Sequence, residues 1–311
     1  MSMKNSEIHI PQILQSSAWA DFQRSLGKTV VEERSSDYSI LAVVEPTPIG
    51  NYLFLPYGPV LRDEAALTAT TPVIRELATR FNAFFVRLEP TLPLGRELLT
   101  SLGAKKVKDI DPAETWVVDL PEAQSELLQV FPRRLRGYYN THEKKGITIK
   151  ESHNPSDISH LVRLQAKIFA AKHITPYSAN YLERELAQDF ATLYLAEFEG
   201  QVIATVLVFD YQDTRYYMQA ASDKSFAKLN AGGILAIQAI LDAHEKGLKH
   251  FDFWGIAPAG APLSHPWAGF TQFKTSFKGR EVVYSGTYDL PISRLRYALY
   301  LLLRKLKGRA K

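Results

Sequence analysis

Lys274 is a lysine set among aromatic residues, a type and setting that could do chemistry. It stands in Gly269-Phe-Thr-Gln-Phe-Lys-Thr-Ser-Phe-Lys278, where Phe270, Phe273 and Phe277 recur at intervals of three and four and predict one face of a short helix. Lys274 lies beside that face. Its aliphatic stem can pack on aromatic rings while a partly desolvated ammonium points at a developing oxyanion; the plainer alternative is a solvated surface charge. Asp252 sits in His250-Phe-Asp-Phe-Trp-Gly255, at the end of a strand flanked by Phe251, Phe253 and Trp254. Ligands of open α/β sheets bind at such strand ends, so Asp252 is either a site acid or a hydrogen-bonded structural cap. Glu89, before Pro90 in Phe85-Val-Arg-Leu-Glu-Pro90, occupies the matching place in the first half of the chain.

Three further features could hold an anion. The turn Lys228-Leu-Asn-Ala-Gly-Gly233 precedes a strong helical pattern. Lys228, Asn230, Gly232 and Gly233 there could admit an anion to backbone N–H groups at a helix N-terminus, or Gly232 and Gly233 serve only helix–sheet packing. Arg133, Arg134 and Arg136 with Tyr138 and Tyr139 could clamp a diphosphate or a nucleic-acid backbone, or form a solvated basic face. The tail from Ile292 to Lys311 carries Leu295, Leu299, Leu302 and Leu306 at helical spacing among seven basic residues. It either lies on anionic lipid or docks its apolar side on the protein. There are no cysteines, which excludes disulfides, thiolate metal sites and a cysteine nucleophile. The histidines lack metal-ligand spacing and no Ser/His/Asp arrangement stands out, so no metal is expected.

The elements that must position these residues are legible in outline. At 311 residues and 46% hydrophobic, the chain can bury two cores. A net charge of +4 is compatible with a phosphate-rich partner without identifying one. The N-terminus lacks the pattern of a signal peptide and no apolar run is long enough to span a bilayer, so a cytoplasmic location is expected. Alternation predicts strands near 38–45, 51–55, 84–88 and 115–119, with helices over 63–81 and 94–102 and a long connector over 124–145 capped by Gly146. The second half reads as helices near 157–171 and 178–190, a hairpin through Glu199-Gly200, a strand at 215–220, a helix over 229–246 and a short strand at 249–253. Each half thus repeats hairpin, small-residue turn, helix, and strand ending in an acid. The expected fold is α/β (α+β): two tandem domains, each a mixed sheet flanked by helices, with boundaries at 1–145 and 146–290 and a basic C-terminal helix over 291–311.

Taken together, these residues resemble the Fem family (FemABX) of aminoacyltransferases, in its compact FemX-like type without a helical arm. The likeness runs through Gln15-Ser-Ser-Ala-Trp19, Pro56-Tyr-Gly-Pro-Val60, Arg87-Leu-Glu-Pro90, Arg136 to Ile147, Ala220-Ala-Ser222, Phe226 to Gly233, Phe251 to Ile256 and Phe270 to Lys278. It implies two tandem GNAT-like acyltransferase domains. It implies transfer of an amino acid from aminoacyl-tRNA to the stem peptide of a lipid-linked or UDP-linked muropeptide, as in peptidoglycan interpeptide-bridge formation, with no cofactor beyond the tRNA donor. The family's functional lysine follows a phenylalanine and maps onto Phe273-Lys274, where Lys274 would stabilise the oxyanion or orient the tRNA terminus. Arg136, with Arg133, best matches the contact to the acceptor diphosphate, and Tyr57 and Trp254 join the substrate-binding set. Glu89 and Asp252 are the candidates for the base. Two departures stand out. A lysine often follows the N-terminal tryptophan in the family; here Gln23 and Arg24 stand there, with Lys28 further on, and Glu replaces Asp at position 89. The resemblance implies that the tail over 291–311 returns to dock on the first domain; the protein is expected to be a monomer, with a peripheral contact of the basic tail at the inner face of the membrane as the other reading. A GNAT-fold N-acyltransferase using acyl-CoA, or acting on a polysaccharide or lipid precursor, is the alternative, and a catalytically silent scaffold the third.

Overall fold

The computed structural model describes residues 10–172 and 176–309, and the side chains of 10–166 and 176–306; His9, His173 and Lys311 lie outside the described residues. The strands in chain order are Val30–Arg34 (β1), Tyr38–Thr47 (β2), Gly50–Leu55 (β3), Val60–Leu61 (β4), Ala83–Leu88 (β5), Lys105–Lys106 (β6), Glu114–Asp119 (β7), Ile147–Ser152 (β8), Ala191–Phe198 (β9), Gln201–Tyr211 (β10), Thr214–Ser222 (β11), His250–Gly255 (β12), Arg280–Val283 (β13) and Tyr288–Pro291 (β14). The helices are Ser17–Ser25 (α1), Glu64–Arg80 (α2), Arg96–Ser101 (α3), Gln124–Leu127 (α4), Arg133–Tyr139 (α5), Ile158–Lys172 (α6), Ala179–Leu186 (α7), Ala231–Glu245 (α8), Ala268–Lys274 (α9) and Arg294–Arg309 (α10).

Two compact units result, and each contains the repeat read from the sequence. In the unit of Gln12–Ala113 and Val283–Lys311 the sheet order is β1-β2-β3-β5-β14-β6, with β4 on β2. An antiparallel β2–β3 hairpin leads through α2 to β5, which pairs parallel with β3. In the unit of Met1–Pro11 and Glu114–Val282 the order is β13-β7-β12-β11-β10-β9-β8. Here the antiparallel β10–β11 pair leads through α8 to β12, parallel to β11. A helix is the usual way to join parallel neighbours, because the return path is a strand length or more.

Local chemistry accounts for the elements. Glu199 and Gly200 both have positive φ, 50° and 74°, as the predicted two-residue hairpin requires. Asp63 caps α2 by accepting from Ala66 N at 3.0 Å. Helix α8 buries Ile234, Leu235, Ile237, Ile240 and alanines at 231, 236, 239 and 243, so it is apolar nearly all round, as a helix sunk into a core must be. The fully buried Arg215 of β11 fastens it, donating to Asp210 Oδ1 and Oδ2 at 2.6 Å each and to Ala239 O at 2.9 Å. In the other unit Arg87 forks onto Asp289 at 2.7 and 2.8 Å, and Tyr297 of α10 donates to the same carboxylate at 2.9 Å.

Two expectations are corrected. The continuous connector helix over 124–145 is instead α4, α5 and a 3-10 turn, Glu143–Lys145. Pro132 breaks it, because proline lacks an N–H and disfavours helical geometry at Phe131; Phe131 turns inward, 6.4 Å edge-on from Phe277. Gly146 does close the segment, at φ 78°. The unit boundaries fall at 113/114 and 282/283 rather than at 145/146 and 290/291. After the boundary at 11/12 the chain crosses between units twice more, because β7 pairs antiparallel with β12 and β14 with β5, and sheet pairing between distant segments leaves no local trace.

Candidate functional site

The site is built on the end of β12. Phe251 and Phe253 point into the core against Tyr217 and Phe277, so by alternation Asp252 faces the other way. The parallel pairing of β11 with β12 stops at Tyr216↔Asp252. On the other side the register jumps between Asp252↔Val117 and Gly255↔Thr115, so two residues of β12 face one of β7. This is a β-bulge, which bends a strand and re-aims its groups. Trp254 carries the strain of it, at φ 63°, and its N–H donates to Asp252 Oδ1 at 2.7 Å. That i to i+2 bond is the Asx turn available to a short carboxylate. The Trp254 ring meets Tyr216 edge-on at 5.8 Å.

Helix α9 brings Lys274 to the bulge. Phe273 packs edge-on against Phe253 at 6.2 Å and Phe277 at 5.5 Å. Thr271 Oγ1 accepts from Ala257 N at 2.8 Å. The segment after α9 lies against β7: Trp116 Nε1 donates to Phe277 O at 3.1 Å, and a Cβ on Gly279 would stand 2.5 Å from Val117 O. Only glycine permits that approach. So held, Lys274 donates from Nζ to Gly255 O at 2.6 Å, which commits one of its three N–H bonds. The predicted aromatic face is only partly formed, because α9 ends at Lys274; Phe277 is buried beyond it and Phe270 is exposed.

The electrostatics are reciprocal. Burial pulls the Lys274 ammonium down to about 8, and Asp252 opposes that fall. Burial pushes the Asp252 carboxyl up to about 7, opposed by the Trp254 N–H, by Lys274 and by Thr115. An enclosed cation with uncommitted N–H bonds beside a half-titrated acid can stabilise an oxyanion or move a proton near neutral pH.

The other predicted residues fall into separate groups. Arg133 and Arg136 line a cavity of about 330 Å³ with Phe131, Tyr139, Asn140 and Ile237. Lys228 is exposed, and Asn230 caps α8 in the left-handed conformation at φ 53°. Gly233 serves packing: a Cβ there would meet Leu135 of α5 at 2.7 Å, whereas at Gly232 the nearest atom is 3.8 Å away on Ser222. In the unit of Gln12–Ala113 and Val283–Lys311, Lys28 pairs with Glu45 at 2.8 Å. Tyr57, buried at φ 49° before the cis Gly58-Pro59 bond, donates to Pro112 O at 2.8 Å. Glu89 is buried; its Oε1 accepts from Thr287 Oγ1 at 2.5 Å and Asp111 N at 3.2 Å. Asp111, which the sequence reading missed, has its carboxyl raised well above the usual range by burial and by the neighbouring Glu89. Its only local signal is the Asp-Pro pair at 111–112. Among the described residues no cluster of His, Asp or Glu is arranged to hold a metal.

Residues 173–305 match the FemAB family. Asp252, Trp254, Phe273 and Lys274 all lie inside the matched FemAB segment; Glu89, Tyr57 and Lys28 lie outside it. The fold is similar to the crystal structure of FemX, with a TM-score of 0.78 and 17% identity over 93% of this chain and 94% of that one. It is also similar to L-PGS from Bacillus licheniformis, at 0.55 and 16% over 97% and 100%. A tandem GNAT protein from the clavulanic acid biosynthesis pathway aligns at 0.50 and 14% over 83% and 81%. At these identities the likeness is one of fold. No curated protein matches by sequence.

Proposed function

We propose that this chain, whose residues 173–305 match the FemAB family, transfers an amino acid from aminoacyl-tRNA to the stem peptide of a peptidoglycan precursor, with Lys274 as the group that meets the reacting carbonyl. The observation that carries this reading is the enclosed Lys274 ammonium, held on Gly255 O by the bulge in β12. The acceptor amine attacks the ester carbonyl, a C–N bond forms, and the carbonyl oxygen becomes an oxyanion. Collapse breaks the C–O bond to the tRNA terminus, which leaves as a hydroxyl with the proton the amine gives up. Lys274 donates to the oxyanion from an N–H that Gly255 does not use. Asp252 keeps Lys274 protonated; its raised carboxyl also lets it take the amine proton near neutral pH. Arg133 and Arg136, around their cavity, supply the cations for a diphosphate-bearing acceptor. The packing of Leu135 on Gly233 speaks against the α8 turn as a cradle for acyl-CoA.

The test incubates the protein with a pool of charged tRNAs and, separately, a lipid-linked and a UDP-linked muropeptide, and reads the mass of the acceptor. A gain of one amino-acid residue on either acceptor is expected. No gain on either, with acetyl-CoA giving an acetylated product instead, would overturn the reading.

A further inference from the structure

Helix α10 has two sides with different fates. One side is docked: Tyr297 is 3% exposed and packs on Phe85 at 5.3 Å, and Tyr300 packs on Phe84 and Phe85 at 5.6 and 5.1 Å. The other side is a leucine stripe. Leu295, Leu299, Leu302 and Leu306 recur at steps of four, three and four and so fall on one line. At 3.6 residues per turn, Tyr297 lies about 200° around the helix from Leu295, and Tyr300 a similar angle from Leu302. The docking that buries the tyrosines therefore turns the leucines outward: they are 86%, 45%, 54% and 54% exposed. An unpartnered apolar stripe of this length calls for an occupant.

The charges beside it say which. Arg294, Arg296 and Lys305 are exposed and flank the stripe, and the helix sequence Arg294–Arg309 contains no acid. A second copy of the helix would bring these cations against their own counterparts with nothing to neutralise them. A nucleic acid would satisfy the cations and leave four leucines in water. An anionic lipid surface satisfies both, with leucines in the acyl boundary and cations at the headgroups.

We infer that the outer face of α10 is a membrane-surface contact, through which the protein lies peripherally on anionic lipid. Among the described residues no helix is long and apolar enough to cross a membrane, so the contact is interfacial. The assignment stands whether or not the transfer reading holds.

The full chain is sedimented with vesicles of phosphatidylcholine alone and of equal parts phosphatidylcholine and phosphatidylglycerol. Binding at least about tenfold tighter to the anionic vesicles is expected, and Leu299→Glu/Leu302→Glu loses it while melting at the same temperature as the parent. A Leu302→Trp variant adds a direct readout, its added emission shifting to the blue on anionic vesicles only. Three results would overturn the inference: no binding of the parent to anionic vesicles, equal binding by the double-Glu variant, or a dimer in solution that the double-Glu variant abolishes.

Discussion

Lys274→Met separates a site lysine from a structural one, because it takes away the charge and keeps the length of the stem. Burial lowers the Lys274 ammonium from 10.5 to about 8. At about 1.4 kcal/mol per pKa unit, the folded state at pH 7 carries roughly 3 kcal/mol against the charged form. The lost hydrogen bond to Gly255 O returns about 1–2 kcal/mol of that, so the variant is expected to be more stable than the parent by about 1–2 kcal/mol at pH 7. The sign with pH is fixed by linkage. Between about pH 8 and pH 10.5 the unfolded parent binds more protons at this site than the folded one, so the parent gains roughly 3 kcal/mol across that window and the Met variant does not. The Met advantage therefore disappears toward pH 10. Urea unfolding of both proteins at pH 8, 9 and 10 reads this difference directly; at pH 7 the Met variant also reports the further rise of the Asp252 carboxyl, which loses the opposing pull of Lys274. Transfer should meanwhile fall by roughly 10²–10³, as for loss of one oxyanion donor. A variant that is less stable at every pH, with no difference in slope, would refute the enclosed ammonium and leave Lys274 a structural tether.

Two further outcomes follow from the same geometry. Asp252 is what opposes the fall of Lys274, so Asp252→Asn should lower the Lys274 value further. The alkaline loss of transfer, expected near pH 8 in the parent, then moves to lower pH; an unmoved alkaline limb in a pH–rate profile would show that the two groups do not act together. Gly233→Ala places a methyl 2.7 Å from Leu135 and should cost about 1–3 kcal/mol by overpacking, most of it recovered in Gly233→Ala/Leu135→Ala. An uncompensated loss in thermal unfolding would mean that the turn before α8 needs Gly233 for something other than this packing.

Much of the fold was legible because much of it is local. The Glu199-Gly200 hairpin, the amphipathic α2 and the greasy α8 follow from period and turn chemistry within a few residues. The broken connector was also legible in principle, since Pro132 stands in the middle of it; the helical pattern on either side masked the interruption. The candidate site was half legible. Lys274 and Asp252 could be singled out by their aromatic settings, yet each had a plain alternative that no local feature could remove. Asp111 was not legible, because it depends on Glu89, which lies 22 residues away.

By itself the sequence determined the kinds of element, their order, the repeat of hairpin, helix and parallel strand, and the two-sided character of α10. Those properties depend on periodicity, which a chain carries along its length. The tertiary structure alone decided the rest: that β7 joins β12, that a bulge frees Gly255 O, that Lys274 reaches it, and that the tyrosines of α10 rather than its leucines are buried. Each of these joins groups far apart in the chain, and a charge acquires its pKa from the solvent it loses and the neighbours it gains, which only the folded arrangement supplies.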